Sequence, residues 1–429
     1  MSLLLETPPP SSLLPVANDR PCEVSRPQQD MLFAPVELSH ATRADQPFWV
    51  EATSDVAVLE RHRAAWQDLA DHTIEPNPFY EPWMFLPAWE AFGHQTPGVR
   101  FVLVWRRDPS PQKPSTLVGF LPLIPARGFG GLPVRLSKTW QHEFCYLCSP
   151  LVRTGQEREV LNAILDWMAK ERQGLLKLCH LPGEGPLAQA IIDVGAQRGA
   201  STFVAERYNR AMLHRAEDFK TYINASMSGS SRKDARRRLR NLSALGMLET
   251  RVLSSDPPSS RASAAPVDVW IREFMQVEAS GWKGRQKSAL NSHPATAKYF
   301  ETICRAGFER SQMTMLGLYL DGRPVAMCCN FGSGEGSYAF KTGFDEKFGK
   351  YSPGVLAEIE NIRLVHELPR VRWMDSCAVA KHSVLNRLWS GQRTIQKVLI
   401  SPGRRLDNVA VEFIAAMSAV RRACFGKKM

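Results

Sequence analysis

Two hydrophobic periods alternate along this chain, and the switches between them mark its elements. "FWVEATS" reads as a strand, and in the following "VAVLERHRAAWQDLADH" the residues Val58, Leu59, His62, Trp66 and Leu69 fall near helical spacing. "NPFYEPWMFLPAWEAF" is aromatic and broken by proline, which predicts a short packing helix. Strands at "VRFVLVWRR" and "TLVGFLPLIPAR" come next, then the helix "VLNAILDWMAK", the strand "LLKLCHL", the helix "LAQAIIDVGAQRG" and one more strand. This α/β block spans 47–215.

A second block, 216–405, opens with "AEDFKTYINASMSGSSRKDARRRLRNLSALG" and a Pro/Ser-rich loop, "SSDPPSSRASAAP". The helices "VDVWIREFMQVEASGW" and "ATAKYFETICRAGFERS" lead into strands at "MTMLGLYLD", "RPVAMCCNFG" and "GSYAFKTGF". The pair Asp321-Gly322 marks the hairpin between the first two strands. A helix over 354–367 and a strand at "VRWMDSCAV" follow, and residues 406–429 predict an amphipathic helix. Both blocks run helices, strand meander, helix, strand, which suggests a duplicated topology without any residue-level repeat. Residues 1–46, rich in Pro and Ser and without periodicity, predict a disordered leader.

The chain has 429 residues, 44% apolar and 23% charged, as in an ordinary soluble globular protein. Its net charge of +11 favours an anionic partner: nucleic acid, membrane headgroups or a phosphorylated cofactor. The 9 cysteines are scattered through apolar runs, which points to a reducing compartment. With no signal-peptide pattern and no apolar run of about 18 residues, the expected location is cytoplasmic. Cys145 and Cys148 form a lone C-x-x-C without a second ligand pair. They and the vicinal Cys328 and Cys329 read as core residues, and no metal is expected.

Chemistry concentrates in "YAFKTGFDEKFGKYSPGVLAEIENIRLVHE", Tyr338 to Glu367. A strand ends in a small basic loop, and a helix starts with Ser352 at the N-cap and Pro353 in its first turn, which suits an anion. Four segments then carry a resemblance: "EASGWKGRQKSAL" (278–290), "GRPVAMCCNFGSGEGSYAFKTGFDEKFGKYSPG" (322–354), "VRWMDSCA" (371–378) and "HSVLNRLWSGQRTI" (382–395). The stretch 210–400 is similar to the CelD/BioF-like acetyltransferases, a branch of the GNAT superfamily related to the Fem peptidoglycan aminoacyl transferases.

The resemblance implies a tandem GNAT-like α/β fold, two mixed-sheet halves flanked by helices, with the first half degenerate. It implies an acyl-CoA donor whose pyrophosphate meets Lys350, Tyr351, Ser352 and Gly354; residues 349–354 stand where the common Q/R-x-x-G-x-G/A loop is absent. Backbone N–H groups near Cys328, Cys329 and Asn330 would polarise the thioester carbonyl. Trp282, Lys283, Arg285, Arg237 and Lys341 would line the substrate side. Asp375, His382 and Glu278 are candidates for the base that deprotonates an amine acceptor. Lys381 stands where relatives often carry an acidic residue, and Trp389 and Arg393 would border the acyl channel. The acceptor would be a small-molecule, glycan-linked or lipid-linked amine of an envelope or polysaccharide pathway. Charged tRNA as the donor and a non-catalytic scaffold are the alternatives. Other nucleic acid is not expected, because the Arg-rich helix "SSRKDARRRLRNL" has no interleaved aromatics. The basic C-terminal helix, with Arg421, Arg422, Lys427 and Lys428, could touch an anionic membrane surface or pack on its own domain. The oligomeric state is open.

Overall fold

The computed structural model describes residues 47–425 apart from positions 111, 113, 256–260 and 381; the side chains of Gln95, Trp282, Lys283 and Phe425 lie outside the description. The expected leader 1–46, part of the Pro/Ser-rich loop, Lys381, Lys427 and Lys428 therefore also lie outside it.

The first half contains the strands β1 (Phe48–Thr53), β2 (Arg100–Arg106), β3 (Thr116–Phe129), β4 (Leu132–Thr139), β5 (Leu151–Val152), β6 (Leu175–Pro182) and β7 (Thr202–His214). Its helices are α1 (Val56–Arg61), α2 (Arg63–Asp71), α3 (Pro82–Phe92), α4 (Glu157–Lys170) and α5 (Pro186–Arg198). The second half contributes α6 (Phe219–Ser226), α7 (Gly229–Ser243), α8 (Val267–Ala279), α9 (Trp282–Arg285), α10 (Pro294–Glu309), α11 (Pro353–Glu367), α12 (Leu385–Leu388) and α13 (Arg405–Phe425). Its strands are β8 (Leu248–Leu253), β9 (Met313–Leu320), β10 (Arg323–Ser333), β11 (Gly336–Phe344), β12 (Trp373–Asp375) and β13 (Gly391–Ile400).

All of these strands join one mixed sheet, ordered β1-β2-β3-β4-β6-β13-β7-β12-β11-β10-β9-β8, with β5 beside β3. The duplication is visible in this order. Each half is an antiparallel meander, β1 to β4 and β8 to β11, followed by a helix and a parallel fifth strand, β4 with β6 and β11 with β12. The strand closing each half comes from the other. β13, the last strand of the second half, inserts between β6 and β7, whereas the end of β7 pairs with β12.

Burial explains the sequence pattern. β9 is buried along its whole length, as expected of a strand covered on both faces. One face of the sheet carries a shared aromatic core in which Trp66, Phe85 and Phe120 are continuous with Tyr299, Phe300 and Phe340. On the opposite face α4 and α5 cover the first half and α6 and α11 cover the second. The helix expected over 56–72 is interrupted at His62, whose backbone (φ −95°, ψ 8°) ends α1 and starts α2.

At the strand exchange sits a buried ionic chain. Asp375 of β12 accepts hydrogen bonds from Arg210 Nη2 of β7 at 2.6 Å and Arg393 Nη1 of β13 at 2.9 Å. Arg393 Nη2 also donates to Glu75 of the first half at 3.1 Å. Two cations and two anions balance, which is what lets such a group persist in a dry interior.

Candidate active site

The geometry of interest begins where β11 and β12 part. Their ladder covers only Gly336–Tyr338 against Trp373–Asp375, while β11 continues to Phe344. Beyond Asp375 the chain stays with β7: the Ser376 N–H donates to the Ala211 carbonyl at 3.2 Å, and Cys377 turns with φ 53°. Past that point the two strands share no ladder bonds, and there β11 carries a β-bulge. Cys329 pairs with Lys341 but Asn330 pairs with Ala339, so Phe340 is the extra residue. A bulge re-aims side chains, and here it puts Phe340 and Lys341 on the same face. Phe340 packs on Phe144, Phe300 and Phe331, and Lys341 Nζ lies 3.6 Å from Glu278 Oε1 and 5.0 Å over the Phe144 ring. Thr342 turns to the opposite face and donates to Glu358 at 2.9 Å.

β11 leads through a short turn into α11. Asp345 caps a 3-10 turn over Glu346–Tyr351, and Ser352 then takes a left-handed conformation (φ 53°, ψ 53°) before Pro353. That conformation costs a non-glycine residue roughly 1–2 kcal/mol. The Ser352 hydroxyl makes no capping bond; it accepts from Arg238 Nη1 of α7. Arg238 Nε also donates to Asp234 at 2.7 Å. Lys350 Nζ sits 5.0 Å over the Tyr351 ring, and Arg285 pairs with Glu346 at 2.9 Å, tying the α8–α9 corner to this turn. Gly281 allows that approach, since a Cβ there would lie 2.6 Å from Glu346 Oε1.

Residues 229–381, which contain the parting strands, the bulge and the helix start, match the acetyltransferase (GNAT) domain family. The chain carries a GNAT acetyltransferase domain and is an acyltransferase. Among solved structures it is similar to FemX (12% identity, covering 82% of this chain and 97% of that one, TM-score 0.48). It is also similar to a conserved protein of unknown function from Bacteroides thetaiotaomicron (11%, 79% and 96%, TM-score 0.46). A tandem GNAT protein from the clavulanic acid biosynthesis pathway is a further neighbour (14%, 82% and 98%, TM-score 0.38). No curated protein matches in sequence.

Several residues singled out from the sequence prove to have other partners. Cys329 and Asn330 lie on β10, which is paired on both sides, so the irregular backbone sits one strand over, at Phe340. The Asn330 side chain is buried and donates to Asn361 at 2.8 Å, and Cys329 is in the aromatic core. Asp375 is fully buried. Burial opposes its charge, but Arg210 and Arg393 outweigh this and hold its pKa below the usual carboxylate value. A carboxylate pinned by two guanidiniums is a poor base, so its geometry is that of a structural anion. His382 Nδ1 accepts from the Leu385 N–H at 3.2 Å, and burial lowers its pKa. Arg237 is 61% exposed and bonds Asp234, so its neighbour Arg238 is the residue that reaches the α11 start.

Glu278 remains beside the bulge. It is buried, and its Oε2 accepts from the Leu290 N–H at 2.9 Å. Trp282 and Lys283 belong to α9. Two further carboxylates flank β11, one on each face. Glu143 has its pKa raised by partial desolvation against the opposing charges of Lys341 and His293. Glu358, under Thr342, is fully buried, and burial pushes its pKa up. Among the described residues no group of His, Cys, Asp and Glu side chains is placed to hold a metal.

Proposed function

We propose that the protein is an acyl-CoA-dependent N-acyltransferase of the CelD/BioF-like kind, acting by direct transfer in a ternary complex in the cytoplasm. The observation that carries this reading is the β11 bulge at Phe340, on the strand that parts from β12 and leads into the α11 start. The donor would lie along β11 past its parting from β12, its pyrophosphate on the first turn of α11 with Lys350, Tyr351, Gly354 and the Arg238–Ser352 pair around it. Its thioester carbonyl would reach the bulged backbone, where N–H groups stabilise the developing oxyanion.

The amine would approach from the face that carries Lys341, Glu278 and Glu143. Its nitrogen adds to the thioester carbon; the tetrahedral intermediate expels the CoA thiolate, and the amine proton passes to a carboxylate. Glu143, whose pKa burial raises, is better poised for that transfer than Asp375. Lys341, with Arg285 at the α8–α9 corner, would orient an acidic portion of the acceptor, an amine of an envelope or polysaccharide precursor.

Calorimetric titration with acetyl-CoA, desulfo-CoA and a longer acyl-CoA tests the donor. Micromolar binding that Lys350→Ala weakens about 5–10-fold is expected for one lost charge-assisted contact. Absence of binding by all of them overturns the reading, and a steeply salt-dependent affinity for charged tRNA would then replace it.

A further inference from the structure

Helix α13 is amphipathic twice over. Val411 and Ile414 are buried against Leu136 of β4, Leu175 of β6 and Leu399 of β13. Polar anchors fix that seating: Asn408 accepts from the Ser201 N–H at 3.1 Å and donates to the Gly199 carbonyl at 2.8 Å, and Glu412 accepts from the Ser201 hydroxyl at 2.8 Å. On the opposite side a second stripe faces outward: Leu406 (76% exposed), Val409 (61%), Phe413 (51%), Met417 (37%) and Val420 (55%). Their spacings of 3, 4, 4 and 3 residues keep them on one narrow face of the helix. A helix whose packing needs are already met has no internal reason to carry this stripe, and contiguous exposed apolar surface marks a contact site.

The charges around the stripe decide what covers it. Arg404 and Arg405 stand at its start and Arg421 and Arg422 at its end; all four are exposed, with Arg421 also donating to the Gly130 carbonyl at 2.9 Å. The acidic residues of the helix are engaged, Asp407 facing Arg404 at 3.7 Å and Glu412 bonded to Ser201. A second copy of the chain docked stripe to stripe would bring arginine pairs against arginine pairs in either the parallel or the antiparallel orientation. An anionic surface has the complementary charge. We infer that α13 seats the enzyme on an anionic lipid surface, with the Leu406–Val420 stripe in the acyl-headgroup boundary and the terminal arginines on lipid phosphates. Among the described residues no helix is long and apolar enough to cross a membrane, so the contact lies in the interface plane.

Vesicle flotation of the full chain tests this inference. The protein should float with vesicles containing about 30% phosphatidylglycerol and stay behind with pure phosphatidylcholine, the binding weakening as salt rises. Val409→Asp with Phe413→Asp should lower binding at least ~10-fold, because each loses an apolar burial of that order, while the melting temperature stays put because both side chains are exposed. Arg405→Glu with Arg422→Glu should reduce binding and flatten its salt dependence. Absence of flotation with the anionic vesicles would overturn the inference, as would undiminished binding by the aspartate pair. A dimer in sedimentation that the aspartate pair dissolves would instead make a second copy the occupant.

Discussion

Asp375→Asn separates a structural anion from a catalytic base. The side chain is wholly buried and accepts three hydrogen bonds, from Arg210, Arg393 and the Cys377 N–H at 2.9 Å. The substitution keeps shape and removes charge. Arg393 retains Glu75, but Arg210, itself 1% exposed, keeps only the Tyr146 carbonyl at 2.7 Å. Removing one partner of a buried pair costs about 3–5 kcal/mol, mostly through the cation left behind. Unfolding entropy of about 2.1 cal/mol/K per residue over Gln46–Met429 amounts to ~0.8 kcal/mol/K, so the melting temperature should fall by ~4–6 °C. Adding Arg210→Met should recover at least about 1 kcal/mol, because the uncompensated charge is then gone. The pH dependence has a definite sign. Asp375 has a lowered folded pKa, so its stabilisation is present above the ordinary value of 3.8 and is lost as pH falls through the folded value. The gap between parent and variant should therefore persist at neutral pH and close in acid. Scanning calorimetry with parallel turnover assays reads all of this. A variant that melts within about 1 °C of the parent yet loses turnover would refute the structural assignment.

Glu81 is fully buried, accepts from Trp83 Nε1 at 2.7 Å and from the Ser333 hydroxyl, and has its pKa raised to about 7 chiefly by desolvation. Because its folded pKa exceeds the unfolded one, parent stability should fall between about pH 4.5 and 7 by ~3 kcal/mol; urea unfolding of Glu81→Gln should show that slope flattened, and an unchanged slope would count against it. Arg238→Ala should weaken acyl-CoA binding ~5–10-fold while Arg237→Ala leaves it unchanged, and calorimetry giving the reverse order would put the wrong arginine at the α11 start. Glu143→Gln should lower kcat ~10²-fold or more and remove the acidic limb of the pH–rate profile, whereas a loss of less than a few-fold would shift the proton transfer to Glu278.

Local pattern carried much of this architecture. The Asp321-Gly322 hairpin, the β10–β11 pair and the α11 start with its proline follow from turn chemistry and periodicity within a dozen residues. Strands β4, β8 and β13 had no such mark. "LPVRLSKT" and "GQRTIQKVLI" mix charged and polar residues into half-buried strands, and "LETRVL" is a half-exposed edge strand, so none shows a clean apolar run. Partnerships across the fold were equally silent. Nothing near Asp375 indicates that Arg210 will neutralise it, and nothing in "HEFCYLCSP" shows that Glu143 will meet Lys341. The bulge at Phe340 escaped for another reason: it is a mismatch of register between two strands, invisible in either one alone.

The exchange of closing strands has a consequence for biosynthesis. β6 and β7 leave the ribosome long before β13, the strand that must come between them. Until Ile400 has been made, a nascent first half presents two unsatisfied strand edges, the kind of surface that pairs with a neighbouring chain. The pairing of Thr202 with Ile400 closes a loop of most of the second half, so the sheet is completed by a late, high-contact-order step. The two halves look like tandem modules on paper but ripen as one object. A chain severed near residue 215 would yield two sticky fragments, and function would return only when both are made together and zip into the same sheet.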